Sequence, residues 1–406
     1  MPAIFSTQSS FTANMLQRGV WPTPRQEMLL RAIILQGEAS VSAWNAWKPT
    51  FDDGLDLASF RLMPLLYHNL QEQGVNDPLV GRIKGIHRKT WVENQVLFRH
   101  AARALAELHA AGIPTLLLKG SALSLYYYPN AGLRPMNDID VLVPTAQRDA
   151  AIQVLLQAGW SPKLGPPAQL TLATQLAPAR LQINHAQDFR HPEGGAIDLH
   201  WHALIDRLAP DEEDDFWQAS IPLTVYGVES QTLNPADMLL HLCQHGLRWS
   251  TDLPLRWIPD AMAVLRAHGE DIDWKRVVWQ AQKRRISINT LAALTYLRQN
   301  FAAPIPPETL SQLQQLPVTW QERREAFVFW RSNALFGYLL NYWVSFLFCG
   351  DQHGYRGVTG FLRFLQVQEG QASIRETLYW IIKRGFWRVT HSLQRKADYS
   401  VQKKIT

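Results

Sequence analysis

Cysteine is scarce in this chain: two residues, Cys243 and Cys349, among 406. Two thiols cannot form a disulfide framework, so the sequence fits a reducing compartment. Charge is scarce too, at 18% of residues against the usual quarter. The formal net charge is only +5. That balance permits contact with phosphates or anionic lipid, but it argues against a long nucleic-acid track. The start, Met1-Pro2-Ala3-Ile4-Phe5-Ser6, has neither the basic residues nor the continuous apolar stretch of a signal peptide. The expected location is therefore cytoplasmic. No repeat or low-complexity tract interrupts the chain.

What is present is apolar and aromatic. Hydrophobic residues make up 47%, and the sixteen tryptophans lie mainly in the C-terminal half, so large aromatic surfaces must be buried or used. A chain of this length is too long for one ordinary core. Its texture changes twice. Apolar residues recur at helical spacing from about Arg25 to Ala111, as in Leu29, Leu30, Ile33 and Ile34, and in Val96, Leu97, Ala101, Leu105 and Leu108. Gly112-Ile113-Pro114 stops that pattern, and helical texture returns after Asn234-Pro235. The expected organisation is an N-terminal helical region (1–111), a mixed α/β domain (112–234) and a C-terminal helical region (235–406), an α+β protein with a small mixed sheet between helices.

Within 112–234, Thr115-Leu116-Leu117-Leu118 predicts a buried strand, followed by a turn at Lys119-Gly120-Ser121 and a short helix from Ala122 to Tyr128. Asp138 to Val143 predicts a second strand, and Thr145 a cap for a helix through Ala158. Two extended segments follow, near Leu181 to Arg190 and Ala196 to Ala203, joined by His191-Pro192-Glu193-Gly194-Gly195 as a hairpin.

Asp138 and Asp140 are two apart, so on a strand both carboxylates leave the same face while Ile139 enters the core. Carboxylates that close repel unless a cation or proton lies between them. Mg2+ takes oxygen ligands, commonly one or two carboxylates with substrate phosphates, so Mg2+ (or Mn2+) with a nucleoside triphosphate would complete the site. Gly120 lets backbone approach a phosphate, and the helix start offers N–H groups to an anion. Ser121 adds a hydroxyl. Asp198, in an alternating run with His200 and His202, supplies a third carboxylate if its strand lies beside that of Asp138 and Asp140. Lys119 and Arg134 flank the motif as candidate triphosphate contacts, with surface solvation the alternative.

Lys119-Gly120-Ser121-Ala122-Leu123, Tyr127-Tyr128-Pro129, Arg134 and Asp138-Ile139-Asp140-Val141-Leu142-Val143 resemble the uncharacterised nucleotidyltransferase family of the DNA polymerase β-like superfamily. Asp198-Leu199-His200-Trp201, Pro235-Ala236-Asp237 and His241 to His245 also match its pattern. The resemblance covers roughly Leu105 to Phe301. It implies that Asp138 and Asp140 bind both metals, that Asp198 completes the one activating the acceptor, and that Gly120 and Ser121 hold the β- and γ-phosphates. A nucleoside monophosphate would pass to a hydroxyl acceptor (small molecule, sugar, protein or RNA end), releasing pyrophosphate. Sixteen residues separate Ser121 from Asp138, longer than is usual in that superfamily.

Other features have plainer readings. Asp271-Ile272-Asp273 repeats the acidic pair without a preceding Gly-Ser turn, and predicts a helix cap. The pairs His200/His202 and His241/His245 lack a sequence partner to finish a zinc site, and Cys243 reads as core. Ser332 to Gly350 carries no charged residue over nineteen positions, but Asn333, Asn341 and Ser345 favour a buried helix over a membrane span. Leu378 to Arg388 mixes aromatics with cations, so peripheral membrane contact stands as an alternative to core packing. Two rival functions follow: a catalytically silent nucleotide-binding scaffold, and a membrane-peripheral assembly protein acting through that C-terminal segment.

Overall fold

A computed structural model of the chain describes residues 21–51, 55–163, 171–205, 207–247, 255–330, 342–347 and 355–384. The described residues fall into two compact units. One comprises the residues up to Lys163 together with Ala186–Ala326; the other comprises those between 164 and His185 and those from Phe327 onward.

In the first unit, the longer helices preceding the sheet are α1 (Pro24–Ile34), α2 (Gly37–Trp47), α3 (Met63–Glu72) and α4 (Pro78–Ala110). Two of them are capped by local side chains. Thr23 and Gln26 form a reciprocal capping box ahead of Pro24. Asp77 accepts from the Leu79 amide and opens α4, whose 33 residues run about 50 Å. One stripe of α4, with Ile83, Leu97, Phe98, Ala101, Leu105 and Leu108, is buried; Val96 is exposed. Gly112, at φ 72°, ends the helix in a conformation that costs glycine nothing.

The sheet is mixed and seven-stranded, in the order β3-β4-β5-β2-β1-β7-β6. Its strands are β1 (Leu116–Leu117), β2 (Ile139–Leu142), β3 (Ser161–Pro162), β4 (Ala186–Arg190), β5 (Ala196–His200), β6 (Ile221–Val225) and β7 (Val228–Thr232). β2 runs parallel to β5, and β1 parallel to β7; the other neighbouring pairs are antiparallel. After β1 comes α5 (Lys119–Tyr126), which starts earlier than the sequence predicts, and after β2 comes α6 (Arg148–Gln157). Thr145 does not cap α6. It opens a 3-10 turn, and its hydroxyl donates to the Trp201 carbonyl at 2.8 Å, tying the turn to the end of β5. The first predicted extended segment also differs: Pro178–Ile183 is helical, Pro178 entering at the first turn, and the strand begins only at Ala186.

Helices resume with α7 (Pro235–Gly246), whose Asn234 side chain accepts from the Ala236 and Asp237 amides. α8 (Trp257–His268), α9 (Trp274–Lys283) and α10 (Ser287–Phe301) follow. Asp273 caps α9 by accepting from the Arg276 amide at 2.9 Å, as the sequence predicts for that second acidic pair. Helices before residue 112 and those between residues 235 and 301 belong to the same compact unit as the sheet, while the three-region division remains a proposal drawn from sequence texture.

In the second unit, the short helix Pro178–Ile183 packs on α11 (Gly357–Gln368), and Gln368 donates to Asn184 at 3.1 Å. No helix among the described residues is long and apolar enough to cross a membrane. Of the uncharged run Ser332 to Gly350, only 342–347 is described; residues 385–388 of the aromatic-basic segment lie outside the described residues. Within it, Leu378, Tyr379 and Ile382 are exposed.

Candidate active site

β1 ends in a turn that is short of room. The Leu118 amide donates to the Asp140 carbonyl at 3.0 Å, so the turn starts against β2. Lys119 then takes φ 43°, a left-handed backbone that a residue with a side chain rarely adopts. Such strain costs on the order of 1–3 kcal/mol and clusters at functional sites. It aims the ammonium at Asp140, with Nζ 2.7 Å from Oδ1. Ser121 is fully buried, and its hydroxyl donates to the Leu118 carbonyl at 3.1 Å.

The parallel register of β2 and β5 sets Asp140 beside Asp198, and the antiparallel register of β4 sets Asp188 on the other side of Asp198. Asp138 lies immediately before β2, half-buried. His200, two residues beyond Asp198, is fully buried. Its Nε2 lies 2.9 Å from Asp198 Oδ2 and 3.2 Å from Asp140 Oδ1. The His202 side chain takes no part: past the end of β5 it turns to Glu213, Nδ1 to Oε2 being 2.9 Å.

Electrostatics follow from that crowding. Burial and the carboxylates of Asp140 and Asp198 push Asp138 up to about 6. Burial also raises Asp188, with Asp198 adding to it. Burial opposes ionisation of Asp140, but Lys119 and His200 hold it well below the usual carboxylate range. Asp198 is likewise lowered, His200 outweighing burial. His200 itself is raised against burial to about 9, chiefly by Asp198, and Lys119 is raised against burial by Asp140 and Asp198. Two cations, Lys119 and His200, thus face a group of four carboxylates, and the surplus negative charge falls on the two that are raised, Asp138 and Asp188. Asp140, Asp198 and His200 each offer one ligand atom within 4.8 Å of the others. Clustered carboxylate oxygens with surplus charge fit a divalent cation.

Arg134 is buried rather than solvated. Its Nη2 pairs with Asp260 Oδ2 at 2.9 Å and its Nε with Oδ1 at 3.0 Å, while the Tyr128 hydroxyl donates to the same carboxylate at 2.9 Å. Asn94 on α4 donates to the Arg134 carbonyl at 2.8 Å, and Arg256 to that of Pro135. The guanidinium therefore braces the loop before Asp138 against α8. It also lies on Gly120: a Cβ there would be 2.2 Å from Arg134 Nη1. Gly120 thus has a packing reason to be glycine, besides any approach to phosphate.

Sequence reasoning missed His200 as a partner of the aspartates, and missed Asp188 and Asp260; it read His241 as one of a histidine pair without a partner to finish a zinc site. His241, on α7, is buried with no hydrogen-bond partner at Nδ1 among the described residues. Burial and the nearby Lys119 hold its imidazole well below its ordinary value, hence neutral. Cys243 is core, burial pushing its thiol up to about 12. A second donor group, His100, His191 and Glu193, gathers at the β4–β5 hairpin, where Arg103 pairs with Glu193 at 3.0 Å.

The family model described as "Uncharacterised nucleotidyltransferase" matches residues 56–302, more than half of the chain, and spans the whole carboxylate site. The chain belongs to that family. Membership supports a transferase of the nucleotidyltransferase class and an NTP as its substrate. Among solved structures, an antigenic nucleotidyltransferase-like protein from Paracoccidioides brasiliensis is similar over 55% of this chain and 94% of its own, at 13% identity and a TM-score of 0.33. No curated protein matches the sequence.

Proposed function

We propose that this member of the family transfers a nucleoside monophosphate from an NTP to a hydroxyl acceptor, with pyrophosphate released. The observation that carries the reading is the register of β2 and β5, which sets Asp140 and Asp198 side by side with Asp138 before them. In this reading Asp138, Asp140 and Asp198 hold Mg2+ or Mn2+. When bound, the metal supplies charge for the triphosphate and lowers the pKa of the attacking hydroxyl.

The chain's own groups do the rest. The α5 amides at Gly120 and Ser121 face the phosphates from a helix start. Lys119 leaves Asp140 for the triphosphate oxygens. Asp198 orients the acceptor hydroxyl, whose oxygen forms a bond to the α-phosphorus as its proton passes to solvent water. The bond from the α-phosphorus to the bridging oxygen breaks, and pyrophosphate carries away that electron pair. Arg134 acts from behind, keeping the loop before Asp138 in place. We place the reaction in the cytoplasm, in keeping with the free, buried Cys243 thiol.

Incubation with each α-labelled NTP, Mg2+ or Mn2+ and a cell extract tests the reading, with Asp138→Ala/Asp140→Ala as control. Label on an acceptor and pyrophosphate that depend on both aspartates are expected. Their absence with every NTP would sink it.

A further inference from the structure

His200 stands among these carboxylates in a way three aspartates alone do not require. It is fully buried, and its Nδ1 lies 3.3 Å from the His202 carbonyl. A carbonyl only accepts, so Nδ1 carries a proton, and Nε2 is left as the atom facing both Asp140 and Asp198. A second ring nitrogen bonded to a backbone carbonyl is the arrangement that fixes metal-binding histidines in orientation. The separations agree with that role. Around a six-coordinate ion with bonds of roughly 2.1 Å, adjacent ligand atoms are about 3.0 Å apart. Nε2 is 2.9 Å from one carboxylate oxygen and 3.2 Å from the other. An ion bound by both aspartates therefore comes within bonding reach of Nε2 with little rearrangement, displacing to solvent the proton that Nε2 holds toward the two carboxylates.

We propose that His200 is a direct ligand of the divalent metal, together with Asp140 and Asp198, and that this nitrogen biases the site toward Mn2+ over Mg2+. Mg2+ takes oxygen ligands and gives up its waters reluctantly, whereas transition ions accept imidazole more readily. The inference rests on the proposed metal-dependent reading of the same site.

Electron paramagnetic resonance of Mn2+ bound to the full-length chain tests it without any turnover. Nitrogen hyperfine coupling that changes on 15N-histidine labelling is expected in the wild type. It should persist in His241→Gln and disappear in Asp140→Asn and His200→Gln. Affinity for Mn2+ should fall about 10-fold or more in His200→Gln, and affinity for Mg2+ much less. If His200→Gln does not fold, the wild type and Asp140→Asn still decide the matter. Bound Mn2+ without histidine coupling, coupling that survives in Asp140→Asn, or no Mn2+ binding would each overturn the proposal. Coupling without transfer from any NTP would refute the enzymatic reading and leave the ligand assignment standing. Transfer without coupling would do the reverse.

Discussion

Gly120→Ala separates a glycine kept for phosphate from one kept for packing. The added methyl would stand 2.2 Å from Arg134 Nη1 and 3.0 Å from Met136 Sδ. A loosely held arginine would swing aside at almost no cost. This one is buried and clamped by Asp260 through Nε and Nη2. Relief must therefore come from shifting the loop or breaking the pair. Overpacking costs about 1–3 kcal/mol and breaking a buried ion pair about 3–5 kcal/mol, while alanine in a helix returns up to about 1 kcal/mol. The cheaper route sets the cost, so the expected net loss is about 1–2 kcal/mol, or a fall of about 2–4 °C in Tm for a unit of roughly 300 residues.

A background lacking the clamp, Arg134→Met/Asp260→Leu, provides the control. With no guanidinium over residue 120, the same change should cost much less, because only the 3.0 Å approach to the flexible Met136 side chain is left to set against helix propensity. Thermal unfolding of the four metal-free proteins gives the coupling directly. An equal cost in both backgrounds would refute the packing argument. So would a wild type that tolerates alanine without loss.

Three further outcomes follow from the charges. Asp138→Asn should stabilise the metal-free chain above about pH 6: a carboxyl at about 6 instead of 3.8 carries at most about 3 kcal/mol against its charged form, and the gain should vanish as pH falls toward 3.8. Chemical denaturation across pH 4–8 measures it, and a gain independent of pH would contradict the assignment. His200, at about 9 instead of 6.5, favours the folded state only while protonated; that contribution is complete below about pH 6.5 and is lost as pH rises through 9. Metal-free wild type should therefore lose stability relative to His200→Gln over that window, and parallel curves would refute the claim. Lys119→Met should weaken NTP binding about 10-fold or more in calorimetric titration, whereas unchanged affinity would remove Lys119 from the nucleotide site.

The acidic residues were legible because each sits in a short alternating run whose face can be read directly. Asp138, Asp140 and Asp198 needed only that period and the chain order of turn, helix, loop and strand. What the period could not supply was adjacency. Convergence was conditional on β2 lying beside β5, and registers between segments 60 residues apart leave no local trace. The same limit hid Asp260, whose ion pair with Arg134 crosses 126 residues. His200 was hidden differently. Its spacing from His202 suggested a histidine pair, but β5 ends at His200, and one residue past a strand end the alternation no longer holds. The left-handed Lys119 was equally hidden, because nothing in a lysine announces positive φ.

These late-appearing residues bear on how substrate and metal would depend on each other. In the metal-free chain the ammonium of Lys119 serves Asp140, so it cannot also serve a triphosphate without leaving that carboxylate uncompensated. A divalent ion on Asp140 removes the conflict: it supplies the carboxylate's counter-charge and frees the ammonium for phosphate oxygens. Nucleotide binding then favours metal binding, and by linkage the reverse holds to the same degree. The coupling resides in Lys119, since a methionine there has no charge to hand over. Lys119→Met should accordingly bind metal alone more tightly than wild type, because a competing cation is gone, while the nucleotide's influence on metal affinity shrinks toward none. Titrating metal with and without NTP measures both, and coupling that survives the substitution would show that the exchange of partners at Asp140 is not its source.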